Sequence, residues 1–202
     1  MVSGGLRQPS STRMLADRIT EAVTTELTSS GATVSAGVVE LRTLGRPIMD
    51  ALLAGFPSSE LQAAFDTIAD ADGLIAVTPA FNASFSGLFK SFFDVLPEES
   101  LSDMPVLIGA TGGTERHSLV LEHALRPMFS HLHAVVSPTG VYAATDDFGS
   151  AQGEGLAQRI DRAASDYARL LLCCGTHRRR DVFTEELSAM ERLLSGGRDA
   201  DD

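Results

Sequence analysis

Three short segments carry the residue types that could bind a cofactor, and each lies where an apolar run or the chain start gives way to a helical pattern. The first is Ser3-Gly4-Gly5-Leu6-Arg7-Gln8-Pro9-Ser10-Ser11-Thr12-Arg13, which ends at the start of a helix. Unpaired amides and the positive end of a helix dipole make such a terminus an anion site; Ser10, Ser11 and Thr12 add hydroxyl donors, and Arg7 and Arg13 add charge. The segment contains neither Gly-x-x-x-x-Gly-Lys-Ser/Thr nor Gly-x-Gly-x-x-Gly, so a single phosphate group fits it better than a triphosphate or a dinucleotide pyrophosphate. Ordinary N-capping by the same hydroxyls is the competing reading. The two arginines favour the anion.

The second segment is Thr78-Pro79-Ala80-Phe81-Asn82-Ala83-Ser84-Phe85-Ser86-Gly87-Leu88-Phe89-Lys90. Its small residues let a flat ring approach the backbone, whose N–H and C=O groups match the donor and acceptor edge of an isoalloxazine. Phe81 or Phe85 would cover a ring face or pack on a neighbouring subunit, and an aromatic in such a loop equally serves the core. The third segment, Gly109-Ala110-Thr111-Gly112-Gly113-Thr114-Glu115-Arg116-His117, breaks an apolar run with paired glycines. Its amides suit the pyrimidine end of a flavin, where negative charge gathers on reduction, or they simply make a tight turn.

The elements that must position these segments alternate along the chain. Leu15, Ile19, Ala22, Val23 and Leu27 recur at helical spacing, predicting a helix from Ser11 to about Ser29 that stops at Gly31. Residues 32–40 read as a strand through Val34, Val38 and Val39, and 44–71 as helical material around Pro47 and Pro57. Gly73–Thr78 is a buried strand, with a loop through Ser84 and a helix at Leu88–Leu96 whose phenylalanines fit either a core or an interface. Pro105–Ala110 is a second buried strand, 117–132 a helix with a kink at Pro127, and Ala134–Tyr142 a last strand. Two helices follow, one through Leu156 to Leu171 and one through Phe183 to Leu194. Continuously apolar strands separated by helices mean a parallel sheet covered on both faces, a doubly wound α/β fold of three layers, α/β/α. Ligands of such sheets sit at the carboxyl ends of the strands. Residues 1–195 are expected to form one domain, with 196–202 a disordered tail.

The net charge of −11, from 27 acidic against 16 basic residues, opposes nucleic acid and anionic membranes as partners. Arg178-Arg179-Arg180 reads as a solvated loop rather than a basic patch. No apolar run approaches the roughly 20 residues of a bilayer span, and Met1-Val2-Ser3-Gly4-Gly5 has no signal-peptide character, so a cytoplasmic location is expected. Cys173 and Cys174 are adjacent, poor geometry for a disulfide, and read as free thiols. There is no nucleophile elbow and no carboxylate pair at informative spacing, and His131-x-His133 reads as structural rather than metal-binding.

Taken together the segments resemble the NAD(P)H-dependent FMN reductase family of the flavodoxin-like superfamily, particularly an actinobacterial-type branch often paired with flavin-dependent monooxygenases. The resemblance covers roughly residues 3–175. The family pattern Gly-Ser-x-Arg-x-x-Ser-x-x-Arg is matched by Gly4 to Arg13 with Gly5 in place of the serine. The pattern Thr-Pro-x-Tyr-Asn-x-Ser-x-Pro-Gly-x-Leu-Lys is matched from Thr78 to Lys90, with Phe81 in place of the tyrosine, Ser86 of the proline and Phe89 of the leucine. The resemblance implies a flavodoxin-like fold and a flavin reductase. Arg7, Ser10, Ser11, Thr12 and Arg13 would contact the FMN phosphate, Pro79, Ala80, Phe81, Asn82, Ala83 and Ser84 the isoalloxazine, and Thr111, Gly112 and Gly113 the pyrimidine side.

It also implies hydride transfer from NADPH or NADH to flavin N5, with no catalytic side chain because the cofactor carries the chemistry. Reduced FMN would pass to a partner monooxygenase or other acceptor, from a homodimer or homotetramer. A quinone, azo or metal-ion reductase with tightly bound FMN, or a non-catalytic flavodoxin-like electron carrier, are the alternatives in the same fold. One departure is larger than the substitutions: only Met1, Val2 and Ser3 precede Gly4, so most of the expected first strand is missing from the sequence. Burying three or so of its apolar side chains would contribute roughly 5 to 9 kcal/mol, against a whole-domain stability of about 5 to 15 kcal/mol. The natural protein is therefore expected to start upstream.

Overall fold

The computed structural model describes residues 1–149, 153–177 and 190. In chain order the main elements are β1 (Val2–Ser3), α1 (Ser11–Ser29), β2 (Val39–Glu40), α2 (Gly45–Ala54), α3 (Ser59–Ala69), β3 (Leu74–Phe81), β4 (Ser84–Phe85) and α4 (Gly87–Val95). They continue with β5 (Pro105–Gly112), α5 (Arg126–His131), β6 (Val135–Val136), β7 (Val141–Ala144) and α6 (Gly153–Cys174). The sheet order is β2-β1-β3-β5-β6, with β7 also paired to β5. All of these neighbours run parallel, which gives the doubly wound, flavodoxin-like arrangement of three layers.

The apolar spacing decides which layer each helix joins. Leu15, Ile19, Val23 and Leu27 of α1 and Leu156, Ile160, Ala164 and Tyr167 of α6 pack on one face of the sheet. Ile48 and Ala51 of α2, Leu61, Phe65 and Ile68 of α3, Phe89, Phe92 and Phe93 of α4 and Phe129 of α5 pack on the other. Phe89, Phe93 and Phe129 meet at ring-centroid distances of 4.9 to 6.4 Å, so the phenylalanine helix belongs to the core and not to a free interface. The buried Tyr167 hydroxyl lies 3.1 Å from the carbonyls of both Leu74 and Pro105, tying α6 to the starts of the two central strands. Burial pushes this phenol far up from its ordinary pKa, so it remains a donor.

Several elements differ from the sequence expectation, each for a local reason. Of residues 32–40 only Val39–Glu40 is strand, because the partner β1 is itself two residues long and offers no ladder to 32–38. The material at 44–71 is two helices, α2 closed by Gly55 at φ 82° and α3 opened by Ser58, whose side chain accepts from the Leu61 N–H. The strand expected over 134–142 is broken in two: Pro138 and Gly140 interrupt it, so β6 pairs with the start of β5 and β7 with its end. The expected kink at Pro127 takes the form of a wide π-helical turn at Leu121–Leu125, which leaves proline in the first turn of α5, where no N–H is needed. The helix expected through Phe183 to Leu194, the Arg178–Arg180 cluster and the 196–202 tail lie outside the described residues, apart from Met190, which is helical.

β1 occupies an interior position, with Val2 opposite Val39 on one side and Ala76 on the other. Below it, at the amino ends of the strands, opens a cavity of about 760 Å³ lined by Met1, Val34, Val39, Leu74, Ile75 and Tyr167 among others. Fusing about five to seven β-branched residues ahead of Met1 should carry β1 through this space. Three or so buried side chains at about 1.5 to 3 kcal/mol each, with about 2 to 4 °C per kcal/mol for a domain of this size, give an expected gain in Tm of at least about 10 °C. An unchanged melting curve by circular dichroism would show that the cavity does not accept a continuing strand.

Candidate functional site

The carboxyl ends of β1, β3 and β5 lie side by side, so the three segments singled out in the sequence converge on one rim. The Gly4 N–H donates to the Val77 carbonyl at 2.8 Å, and Pro79 stands opposite Thr111 in the β3–β5 register. The cavity described above touches none of these residues. The site is an open edge of loops at the other end of the sheet.

In the first segment Gly5 lies against the start of α1: a Cβ there would meet Ser10 Oγ at 2.1 Å, so a serine at position 5, as in the family pattern, would require that hydroxyl to shift. Ser10 is the N-cap of α1, accepting from the Arg13 N–H at 3.2 Å. Thr12 is buried, and its hydroxyl lies 2.8 Å from that of Thr111. Arg13 is committed elsewhere: its guanidinium bonds Asp17 at 2.8 Å and also pairs with Glu40. The bonds to Asp17 and Glu40 push its pKa further up from an already high value. Arg7 and Ser11 are exposed. The first turn of α1 holds no acidic residue, and among the described residues the N–H groups of Ser11 and Thr12 have no acceptor. These are the properties of a helix terminus open to an anion.

The second segment is a hairpin rather than a loop. β3 runs on to Phe81, turns at Asn82 and Ala83, and returns as β4, with Phe81 opposite Ser84 and Ala80 opposite Phe85. Asn82 and Ala83 have φ of 49° and 66°, the left-handed pair of a type I′ turn. Asn tolerates this region; for Ala it costs about 1 to 2 kcal/mol, a strain held at the exposed tip. The Thr78 hydroxyl accepts from the Ser86 N–H at 3.1 Å, and Ser86 caps α4 through the Phe89 N–H at 3.3 Å. Pro79 is buried, Ala80 and Ser84 are half-buried, and Phe81, Asn82 and Ala83 are exposed.

In the third segment Thr111 and Gly112 belong to β5, paired with Ala143 and Ala144 of β7, so the break comes at Gly113 instead of Thr111. Tyr142, which the sequence reading did not single out, donates its hydroxyl to the Thr114 carbonyl at 2.7 Å. A Cβ on Gly112 would meet that hydroxyl at 2.1 Å, whereas one on Gly113 would meet nothing within 4 Å. Burial, and then the charge of Asp147, push the Tyr142 phenol up, keeping it protonated as a donor. A tyrosine at the end of a short strand carries no sequence signal for this role. Among the described residues no group of His, Cys, Asp or Glu could hold a metal ion, and no helix is long and apolar enough to cross a membrane.

Comparison with known proteins agrees with this geometry. Residues 1–149 match the family model described as NADPH-dependent FMN reductase. A relative from Pseudomonas aeruginosa named FMN reductase (NADPH) is 42% identical over 171 residues, covering 84% of this chain and 89% of the relative. A relative from Pseudomonas fluorescens named NADH-dependent FMN reductase SfnF is 42% identical over 178 residues, covering 87% and 91%. The X-ray structure of an oxidoreductase from Corynebacterium diphtheriae superposes with a TM-score of 0.81 at 46% identity, covering 85% of this chain and 94% of that one. On the family model, the relatives and the shared fold, the chain belongs to the NADPH-dependent FMN reductase family, enzymes that reduce FMN with a nicotinamide.

Proposed function

We propose that the rim formed by the three segments holds FMN for reduction by NADPH or NADH, and that reduced FMN then passes to a partner monooxygenase. The observation that carries this reading is the buried Thr12–Thr111 contact, which locks the start of α1 to the carboxyl end of β5 and so fixes two of the three loops against each other. Relatives of equal identity are named for NADPH and for NADH, which leaves both nicotinamides as donors to be tested. We assign the working form to a cytoplasmic homodimer or homotetramer.

The residues present fit such a group. Free amides at Ser11 and Thr12, the exposed Ser11 hydroxyl and Arg7 would hold the phosphate, with no carboxylate in the first turn to repel it. Ser10 and Thr12 shape that terminus through their own hydrogen bonds, and Arg13 balances Asp17 and Glu40. The Pro79–Ser84 hairpin would present its backbone to the ring, with Phe81 beside it, and Thr111, Gly112 and Gly113 would present small residues and amides to the pyrimidine side. Bound FMN supplies the hydride-accepting centre, so the protein provides placement and electrostatics and needs no general acid or base of its own.

Two measurements test this reading. Oxidation of NADPH or NADH should proceed only when FMN is added or retained; turnover with a quinone that ignores FMN would favour the quinone reductase instead, and no nicotinamide consumption would leave a carrier. Removing one hydroxyl by Thr12→Val or Thr111→Val should weaken FMN binding about 3- to 10-fold, the value of one hydrogen bond. The double variant should lose little more than either single one, because the two share that bond. Fully additive losses in a fluorescence titration would mean that each threonine acts alone.

A further inference from the structure

α2 buries Ile48 and Ala51 against the core and turns a row of large apolar side chains to water. Met49 is 48% exposed, Leu52 41% and Leu53 84%, and Phe56, just beyond the left-handed Gly55, is 70% exposed. The first three recur at i, i+3 and i+4, so they form one stripe that Phe56 extends. Together the four leave on the order of 400 Å² of apolar surface in water, in the range of the largest patch on a soluble monomer, which is often functional.

We propose that this stripe is a self-association surface, on which α2 of a second copy packs about a twofold axis. The inference rests on the homo-oligomer reading above and gives it a location. Area favours a second copy: a twofold contact would bury the patch twice, about 800 Å² from these side chains alone and half of a standard interface of about 1,600 Å² before any rim is counted. Charge favours it too. The chain carries a net −11, which repels a second copy over most of the surface, but exposed α2 residues include one cation, Arg46, and one anion, Asp50, so α2 itself is neutral. In an antiparallel crossing centred at the level of Ala51, Met49 faces Leu53 of the second copy, and Arg46 faces its Phe56, a cation–π pairing. An anionic bilayer is the poorer occupant, because surface-binding helices flank their apolar face with several lysines or arginines and α2 has a single arginine.

The amino end of α2 packs inside the chain, where a Cβ on Gly45 would lie 3.8 Å from Leu88 of α4, whereas the stripe runs from Met49 toward the carboxyl end of the helix on its exposed face.

Analytical ultracentrifugation of the full chain from about 1 to 100 µM tests the proposal, with Leu53→Glu and Met49→Lys as variants, since both positions are exposed and neither lies on the rim. The expected result is a wild-type oligomer and, for each variant, a dissociation constant raised at least about tenfold, with unchanged circular dichroism. A wild-type oligomer whose mass both variants leave unaltered overturns the proposal while the oligomer reading stands. A wild type that is monomeric at every concentration overturns both, and binding of that monomer to vesicles of anionic phospholipid, lost in Leu53→Glu, would reassign the stripe to a membrane surface.

Discussion

The rest of the structure depends on the pairing of β3 with β5. Six residues of each strand run in register, Leu74 with Val106 through Pro79 with Thr111, and nearly all of them are buried on both faces. Such a ladder fixes relative position to within a residue, because a slip by one would turn every inward side chain to the opposite layer. It also delivers the second and third segments to the same height on the rim. β1 hangs on this pair by two residues, and through Gly4 N–H to the Val77 carbonyl it delivers the first segment there as well. Tyr167 secures the amino ends of the same two strands from behind, so the ladder is held at the end where no ligand is expected and left open where one is.

At the rim, polar side chains bond to one another and to the backbone, so the loops are set before any ligand arrives. Thr12 meets Thr111, Thr78 holds the amide of Ser86, and Tyr142 holds the carbonyl of Thr114. Each is one hydrogen bond, a net contribution of about 0.5 to 1.5 kcal/mol, and each removes freedom that binding would otherwise have to remove. The glycines follow from the same crowding. Gly5 leaves room for Ser10 Oγ and Gly112 for the Tyr142 hydroxyl, so these two positions are small because a neighbour fills the space, whereas Gly113 is small beside open space.

What the sequence made legible was the material with strong periodicity. α1, α4 and α6 and the two long strands are each long, apolar on the faces that pack, and bounded by caps or glycine, so local pattern and tertiary burial agree. The misread elements are those whose state is set by a partner. Residues 32–38 have the composition of a strand but only a two-residue neighbour, and 134–142 has strand composition broken by Pro138 and Gly140. The Asn82-Ala83 turn escaped because the usual hairpin signal is Asn-Gly, and here alanine is held in the left-handed region by the pairing on either side. The local bonds of these loops were less legible: Ser10 caps α1, Thr12 meets Thr111 across the rim, and the Tyr142 bond to the Thr114 carbonyl gave no signal in the sequence.

Arg13 shows that the net attraction of a charge depends on its neighbours in the fold. In sequence it strengthens the case for a phosphate, yet in the fold Asp17 and Glu40 take up its guanidinium, and a cation already paired offers an anion little net attraction. What is left at the start of α1 is two amides, a hydroxyl and the exposed Arg7, whose field is screened beyond about 10 Å at ordinary ionic strength. On the function proposed above, that is a modest set of contacts for a phosphate dianion, with each charge-assisted bond contributing about 1.5 to 3 kcal/mol. A carrier that keeps its flavin through many turnovers needs a deeper hold. An enzyme that must release reduced FMN to another protein is better served by a site whose shape is fixed internally and whose grip on the ligand is moderate, and the capture of Arg13 by two carboxylates moves this rim toward that balance.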